Sequence, residues 1–269
     1  MTSQRAEPVR NLRRNGSDEA TRALATEAPV AVEIDGLGYA VMMMTPADLA
    51  DFATGFLLTE RLADTPADLI DVEPFEAAEG IILRVTLSSR CAGRVGDRVR
   101  HRTSDTGCGL CGIAGLEQLR RPVPAPSPRP RIDAAALFAA LDALDAHQPL
   151  ARATGAVHAA AACDAAGAIV AVMEDVGRHN ALDKLIGALA RRGEAPAFLL
   201  VTSRLSFEMV DKALVARVPL LAGISAPTTL AVDHARAHGL TLVALARADA
   251  MLVMTDPWDC FTAGSGGGT

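Results

Sequence analysis

Ile169-Val170-Ala171-Val172-Met173-Glu174-Asp175-Val176-Gly177-Arg178-His179-Asn180-Ala181-Leu182-Asp183-Lys184 runs from an apolar block through a polar turn into an amphipathic one. The apolar block is short and rich in β-branched residues, which predicts a buried strand over 169–173. Asn180 is placed to cap a helix carrying Leu182, Leu185, Ile186 and Leu189 at helical spacing. The same alternation continues outward toward the C-terminus. Phe198–Val201 reads as the next strand, and Ser206 as the cap of the helix after it. Pro219–Ile224 reads as a third strand, 227–238 as a helix stopped by Gly239, Leu240–Ala246 as a fourth strand and Met251–Met254 as a fifth. Upstream, Asp133 opens a helix with Leu137, Leu141 and Leu144 on one stripe. Strand and helix in alternation predict a three-layer α/β domain with a largely parallel sheet over 132–257.

In open α/β sheets ligands bind beyond the carboxyl ends of the strands. Polar clusters fall at those places: Glu174–Asn180, Thr202–Ser206, Ser225–Thr229 and Arg247–Asp249. Three of them open helices, whose free N–H groups favour anions. Arg178, His179, Arg204 and Arg247 would add positive charge, so the strand ends predict a pocket for a phosphorylated ligand. Each loop taken alone is equally a set of ordinary helix caps.

Moving toward the N-terminus, Arg121–Pro130 holds five prolines in ten residues and marks 121–131 as a linker. Before it, residues 26–120 read as a smaller α+β domain. Pro29–Ile34 and Tyr39–Met43 form a strand pair about an Asp35-Gly36 turn. Thr45 and Pro46 then open a helix with Leu49, Phe52 and Phe56 on its apolar face, and Gly80–Leu87 is another strand. Residues 1–25 are polar and without period, and 258–269 end in glycines, so both ends are expected to be flexible tails.

The chain has 269 residues, half of them apolar, and a formal net charge of −6. That charge and 3% aromatic content argue against nucleic-acid binding. No apolar run reaches membrane-spanning length, and no signal peptide is visible behind the arginines at 5, 10, 13 and 14. Five cysteines, an odd and sparse set, point to a reducing, cytoplasmic setting.

Two of them form Gly107-Cys108-Gly109-Leu110-Cys111-Gly112. Three chemistries suit a Cys-x-x-Cys pair flanked by glycine. A structural zinc wants four ligands, so one chain offers only half a site and two chains would have to share it. A thioredoxin-type pair follows a buried strand, whereas 98–106 is charged and polar. A persulfide carrier needs an accessible thiolate and a second thiol nearby to displace the sulfur. Spacing alone leaves zinc and sulfur transfer level. Cys163 lies in an apolar Ala-rich run and is expected to be buried; Cys91 and Cys260 carry no signal. His158 lacks the glutamate and Pro-Cys-x-x-Cys of the zinc deaminases and reads as structural. His101, His147, His234 and His238 read as surface residues.

Several segments together resemble the FdhD/NarQ family of formate dehydrogenase accessory sulfurtransferases. They are Glu27–Pro29, Met44–Pro46 through Gly55–Leu58, Cys108–Gly112, Thr154–Ala159, Glu174–Lys184, Ser206–Val210 and Ser225–Thr228. The resemblance implies an enzyme that takes sulfur from a cysteine desulfurase as a persulfide on Cys108, with Cys111 as its partner. The sulfur goes to a bound substrate, the molybdenum cofactor Mo-bis(molybdopterin guanine dinucleotide), which then serves formate dehydrogenase. It further implies a homodimer, a cytidine-deaminase-like second domain without its zinc, and a cofactor segment at Leu245, Ala246, Arg247, Ala248, Asp249 and Ala250. Arg178 and His179 would add to that cofactor site. The chain departs from the family at Arg61, where relatives often have glycine. It also has Ala248, Ala250 and Leu252–Thr255 where they carry a further Gly and Arg and then Asn-Val-Tyr-Thr. A cofactor chaperone that transfers nothing, or a dimeric zinc-binding adaptor, is the alternative.

Overall fold

The computed structural model describes residues 1–96, 123 and 129–261. Its N-terminus corrects the expected tail. Residues Gln4–Arg13 (β1) and Gly16–Ala25 (β2) form an antiparallel hairpin. Neither face of this ribbon is buried, so it has no apolar period to read. Cross-strand pairs hold it instead: Arg10 faces Glu19, and the Arg13 guanidinium lies 2.7 Å from Asp18. Arg22, near its base, donates to the Thr154 carbonyl at 3.3 Å.

Next come Ala28–Ile34 (β3) and Leu37–Met44 (β4), joined where expected, with Asp35 and Gly36 both at positive φ. Leu49–Thr59 is the first helix, α1, followed by Leu69–Ala77 (β5) and Gly80–Leu87 (β6). The four strands lie in the order β4-β3-β6-β5, with β3 and β6 parallel. β3 alternates strictly, turning Ala28, Val30, Val32 and Ile34 inward. Val30, Val32 and Ile34 meet Phe52, Phe56 and Leu57 of α1 in one apolar core. The helix starts later than Thr45 predicts. Asp48, at φ 53°, occupies the cap position, and Thr45 is instead buried against the second half of the chain.

That half begins with Ala134–Leu144 (α2), capped as expected by the Asp133 carboxylate, and Pro149–Thr154 (α3). Then follow His158–Cys163 (β7), Ile169–Asp175 (β8), Arg178–Arg192 (α4), Phe198–Val201 (β9), Phe207–Val215 (α5) and Leu220–Gly223 (β10). Thr229–Ala237 (α6), Thr241–Ala244 (β11) and Leu252–Thr255 (β12) complete it. The sheet order is β12-β11-β10-β9-β7-β8. Only the β9–β10 and β10–β11 pairs are parallel, so the sheet is mixed rather than largely parallel. β7, which runs through Ala159–Ala162, lies between β8 and β9 and is antiparallel to both. β8, β9, β10 and β11 therefore still point the same way. Apolar clusters cover both faces, with α2 on one and α4, α5 and α6 on the other.

The two halves meet where α1 crosses α4. Gly55 and Gly187 sit at the crossing, and a Cβ on Gly187 would stand 1.9 Å from the Asp51 carbonyl oxygen. At the C-terminal side, residues 258–261 are not free. The Phe261 N–H donates to Asp256 at 2.9 Å and its ring packs on the α2 side of the sheet. Among the described residues no helix is long and apolar enough to cross a membrane.

Candidate functional site

The ends of β8, β9, β10 and β11 share one edge, and the loops that leave them are laced together there. The Leu205 N–H donates to the Ala226 carbonyl at 3.2 Å, and the Thr228 N–H to the Leu205 carbonyl at 3.0 Å. The Leu245 N–H reaches Ser225 O at 3.2 Å, and the Ala246 N–H reaches Gly223 O at 3.1 Å. Leu245 adopts φ 49°, which turns the chain out of β11. Ala246 is buried, while Arg247, Ala248, Asp249 and Ala250 are exposed in a turn closed by Arg247 N–H to Ala250 O at 2.9 Å. The Arg247 guanidinium folds back onto the carbonyls of Ile224 and Ala246, so part of its donor capacity stitches two loops.

On the other side of the edge stands the first turn of α4. Gly177, not Asn180, is its cap. The Asp175 carboxylate at the end of β8 organises the turn. It accepts from Gly177 N–H at 2.7 Å, Asn180 Nδ2 at 3.1 Å, Thr45 N–H at 3.0 Å and Lys184 Nζ at 2.6 Å. Arg178 and His179 lie between two of those donors. A Cβ at Gly177 would sit 2.5 Å from Asn180 Nδ2, so a side chain there would push Asn180 off its bonds to Asp175 and the Met43 carbonyl.

His179 is not the cation its sequence context suggests. Burial, then the nearby charges of Lys212 and Arg178, push its pKa down to about 3. The ring is neutral, and Nε2 lies 3.2 Å from Glu208 Oε2. A neutral imidazole carries one N–H donor and one acceptor nitrogen. Among the described residues, His179 Nδ1 is buried without a partner, as are Arg178 Nε and Ser206 Oγ. Buried polar atoms are normally satisfied, so these three at one sheet edge make it a candidate ligand site. Beside His179 and Glu208 is a cavity of about 280 Å³, also lined by Met42, Phe56, Glu60 and Lys212. A larger cavity of about 720 Å³ lies at the other end of α4, among Leu58, Ile186, Leu189, Val215 and Val218, away from the strand ends.

Sequence reading missed the buried charges beneath this edge. Asp183 and Lys212 form a second pair, with Lys212 Nζ 2.8 Å from both Asp183 oxygens and 2.9 Å from Thr59 Oγ1. Their signal was available: Asn180, Asp183, Lys184 and Gly187 share one helical face, and that face is buried. His158 is half-buried at the start of β7, with its pKa lowered by burial and then by Arg178. His234 is also not a surface residue. Its ring packs against Phe207 at a 40° tilt, with centroids 4.4 Å apart, and its Nε2 lies 3.2 Å from Asp211.

Cys108 and Cys111 lie outside the described residues. Of the other cysteines, Cys91 and Cys163 are buried, and burial pushes the Cys163 thiol up to about 12. A thiol in that state is no nucleophile. Asp64, Asp68 and Cys91 bring oxygen and sulfur within 4.8 Å of one another. Arg90 already holds Asp68 at 2.6 Å and Arg94 holds Asp64 at 2.8 Å, so guanidinium groups neutralise the carboxylates a cation would need.

Known proteins resemble this chain along nearly its whole length. The sequence profile of the FdhD/NarQ family matches residues 25–260. A protein of Variovorax paradoxus named sulfur carrier protein FdhD is 46% identical over 254 residues, covering 93% of this chain and 91% of the relative. One of the same name from Xanthomonas campestris pv. campestris strain B100 is 48% identical over 268 residues, covering 96% and 95%. The crystal structure of a proposed formate dehydrogenase accessory protein from Desulfotalea psychrophila superposes with a TM-score of 0.74 at 22% identity. It covers 96% of this chain and 99% of that one, which extends the likeness to the fold. With the profile spanning both halves and the hairpin's last residue, the chain belongs to the FdhD/NarQ family.

Proposed function

We propose that this protein is a cytoplasmic sulfurtransferase that matures formate dehydrogenase. The observation that carries the reading is the near-full-length match to proteins named sulfur carrier protein FdhD, in a chain that has the Cys108-x-x-Cys111 pair. In the first step the Cys108 thiolate attacks the outer sulfur of a cysteine desulfurase persulfide. The desulfurase leaves as its thiolate and Cys108 becomes the persulfide. Cys111 is the partner thiol. Its attack on the inner sulfur of that persulfide yields a Cys108–Cys111 disulfide and releases the outer sulfur as hydrosulfide at the acceptor; a cellular thiol then reduces the disulfide. The acceptor is Mo-bis(molybdopterin guanine dinucleotide), bound as substrate.

The strand-end edge supports this substrate class. Arg178, His179 and Ser206 offer polar atoms that have no partner among the described residues at one side, and Leu245–Ala250 forms the other. From β8 to β11 is four strand steps, roughly 19 Å at about 4.8 Å each, a span suited to a dinucleotide rather than a lone phosphate. A neutral His179 accepts a hydrogen bond on one ring nitrogen, which suits the N–H edge of a base better than an anion. The mixed sheet with helices on both faces accords with a cytidine-deaminase-like layering in which the zinc ligands are absent. In the cell the protein works as a homodimer.

The test is complementation. A strain lacking its own sulfur carrier recovers formate dehydrogenase activity with this protein and not with Cys108→Ala. Full activity from Cys108→Ala rejects the carrier role. Elemental analysis of the purified protein separates this reading from a zinc adaptor, which would hold one tightly bound zinc per two chains.

A further inference from the structure

The buried pair Asp175–Lys184 is used by no step above, and its placement is unusual. Both side chains are 0% exposed, and their charged atoms are 2.6 Å apart. A buried ion pair is a poor source of stability, because desolvating two charges offsets most of their attraction. Its partners show what it does instead. Lys184 Nζ donates to the Thr45 carbonyl at 2.9 Å, while Asp175 accepts from the Thr45 N–H. The Val176 N–H returns a bond to Thr45 Oγ1 at 3.2 Å, and Asn180 Nδ2 donates to the Met43 carbonyl at 2.9 Å. Residues 43–45, the corner between β4 and α1, are thereby bonded to Asp175, Val176, Asn180 and Lys184. Arg178 and His179 sit inside that bracket, on the first turn of α4.

We propose that Asp175 and Lys184 are positioning residues: together they use the 43–45 corner of the first half as a template that fixes Arg178 and His179 toward the ligand edge. This rests on the reading of that edge as the nucleotide site. The geometry favours positioning over simple cohesion. The halves are already joined by the Gly55–Gly187 crossing and by Thr59, whose Oγ1 donates to Asp183 at 2.8 Å and accepts from Lys212 Nζ at 2.9 Å; both links lie further along α4 than its first turn. The Asp175 cluster alone controls the direction in which the first turn of α4 leaves β8.

The test uses the neutral, nearly isosteric double variant Asp175→Asn/Lys184→Met in the full chain, with guanosine diphosphate as the probe in titration calorimetry. Wild-type protein that fails to bind the probe rejects the nucleotide reading itself. If wild type binds, the double variant is expected to keep its thermal midpoint within a few degrees and its desulfurase-dependent sulfur loading. Its nucleotide Kd should rise at least tenfold, and the ¹⁵N shifts of His179 should move. A folded double variant with wild-type affinity and an unmoved His179 overturns the proposal. Should the double variant fail to fold, Thr45→Val decides. It removes only the acceptor of the Val176 N–H, and it is expected to weaken nucleotide binding several-fold while sulfur loading stays intact. Unchanged affinity in folded Thr45→Val also overturns the proposal.

Discussion

Gly55 of α1 and Gly187 of α4 face each other with no room for a side chain: a Cβ on Gly55 would stand 1.8 Å from the Asp183 carbonyl oxygen, and one on Gly187 2.6 Å from Gly55 N. This contact lets two helix backbones touch and brings the charged face of α4 against the first half. Gly187→Ala places a methyl group where backbone already lies, and the helices must separate. A loss of about 1–3 kcal/mol is expected from the overpacking alone. Urea unfolding at neutral pH measures it, and a loss under about 0.5 kcal/mol would mean the crossing is looser than described.

Arg61 combines a strained backbone with an ion pair. It adopts φ 58°, a left-handed conformation that favours glycine, yet its guanidinium makes a bidentate contact with Asp211 at 2.9 Å for each bond. The strain and the ion pair offset each other. Arg61→Gly loses the pair and relieves the strain; Arg61→Ala loses the pair and keeps it. The alanine variant is therefore expected to be about 1–2 kcal/mol less stable than the glycine variant. Equal stability of the two in urea would remove the strain from the account.

The acid side of the stability curve follows from His179. In the native state its pKa is about 3, against about 6.5 in an unfolded chain. Between those values the unfolded protein takes up a proton that the native protein does not, so stability falls as pH drops from about 6.5 toward 3. His158, also lowered, acts in the same direction. His179→Gln is expected to flatten, without abolishing, the fall in urea midpoint between pH 7 and pH 4.5. An unchanged slope would show that His179 is charged in the native state.

Thiol labelling tests the burial assignments. Cys91 and Cys163 are 0% exposed, and the Cys163 thiol is pushed up to about 12. Native protein treated with iodoacetamide at pH 8 should therefore leave both unmodified, as read by peptide mass mapping, and label them only after denaturation. Rapid native labelling of Cys163 would place β7 at a surface instead of between β8 and β9.

The strand ends were legible because polar clusters after apolar runs report topology directly: Glu174–Asn180, Thr202–Ser206 and Ser225–Thr229 all reach one edge. β7 was hidden by its composition. Alanine favours helix in isolation, and Ala159–Ala162 becomes a strand because a place between β8 and β9, covered on both faces, accepts small side chains. The β1–β2 hairpin was hidden for the opposite reason, since its pairing is polar and it buries neither face. At the site, the positions of Arg178 and His179 were readable but the charge of His179 was not, because burial is a property of the fold. Thr45 read as a helix cap, and its actual partners, Asp175 and Val176, are 130 and 131 residues away.

The central claim is that Cys108 carries sulfur. The most direct measurement is intact-mass spectrometry of the purified protein after incubation with a cysteine desulfurase and cysteine. One added sulfur atom is predicted on the wild-type chain, removed by a reducing thiol and absent from Cys108→Ala. Sulfur that persists on Cys108→Ala, or a wild-type chain that gains none while the desulfurase itself is loaded, would contradict the account.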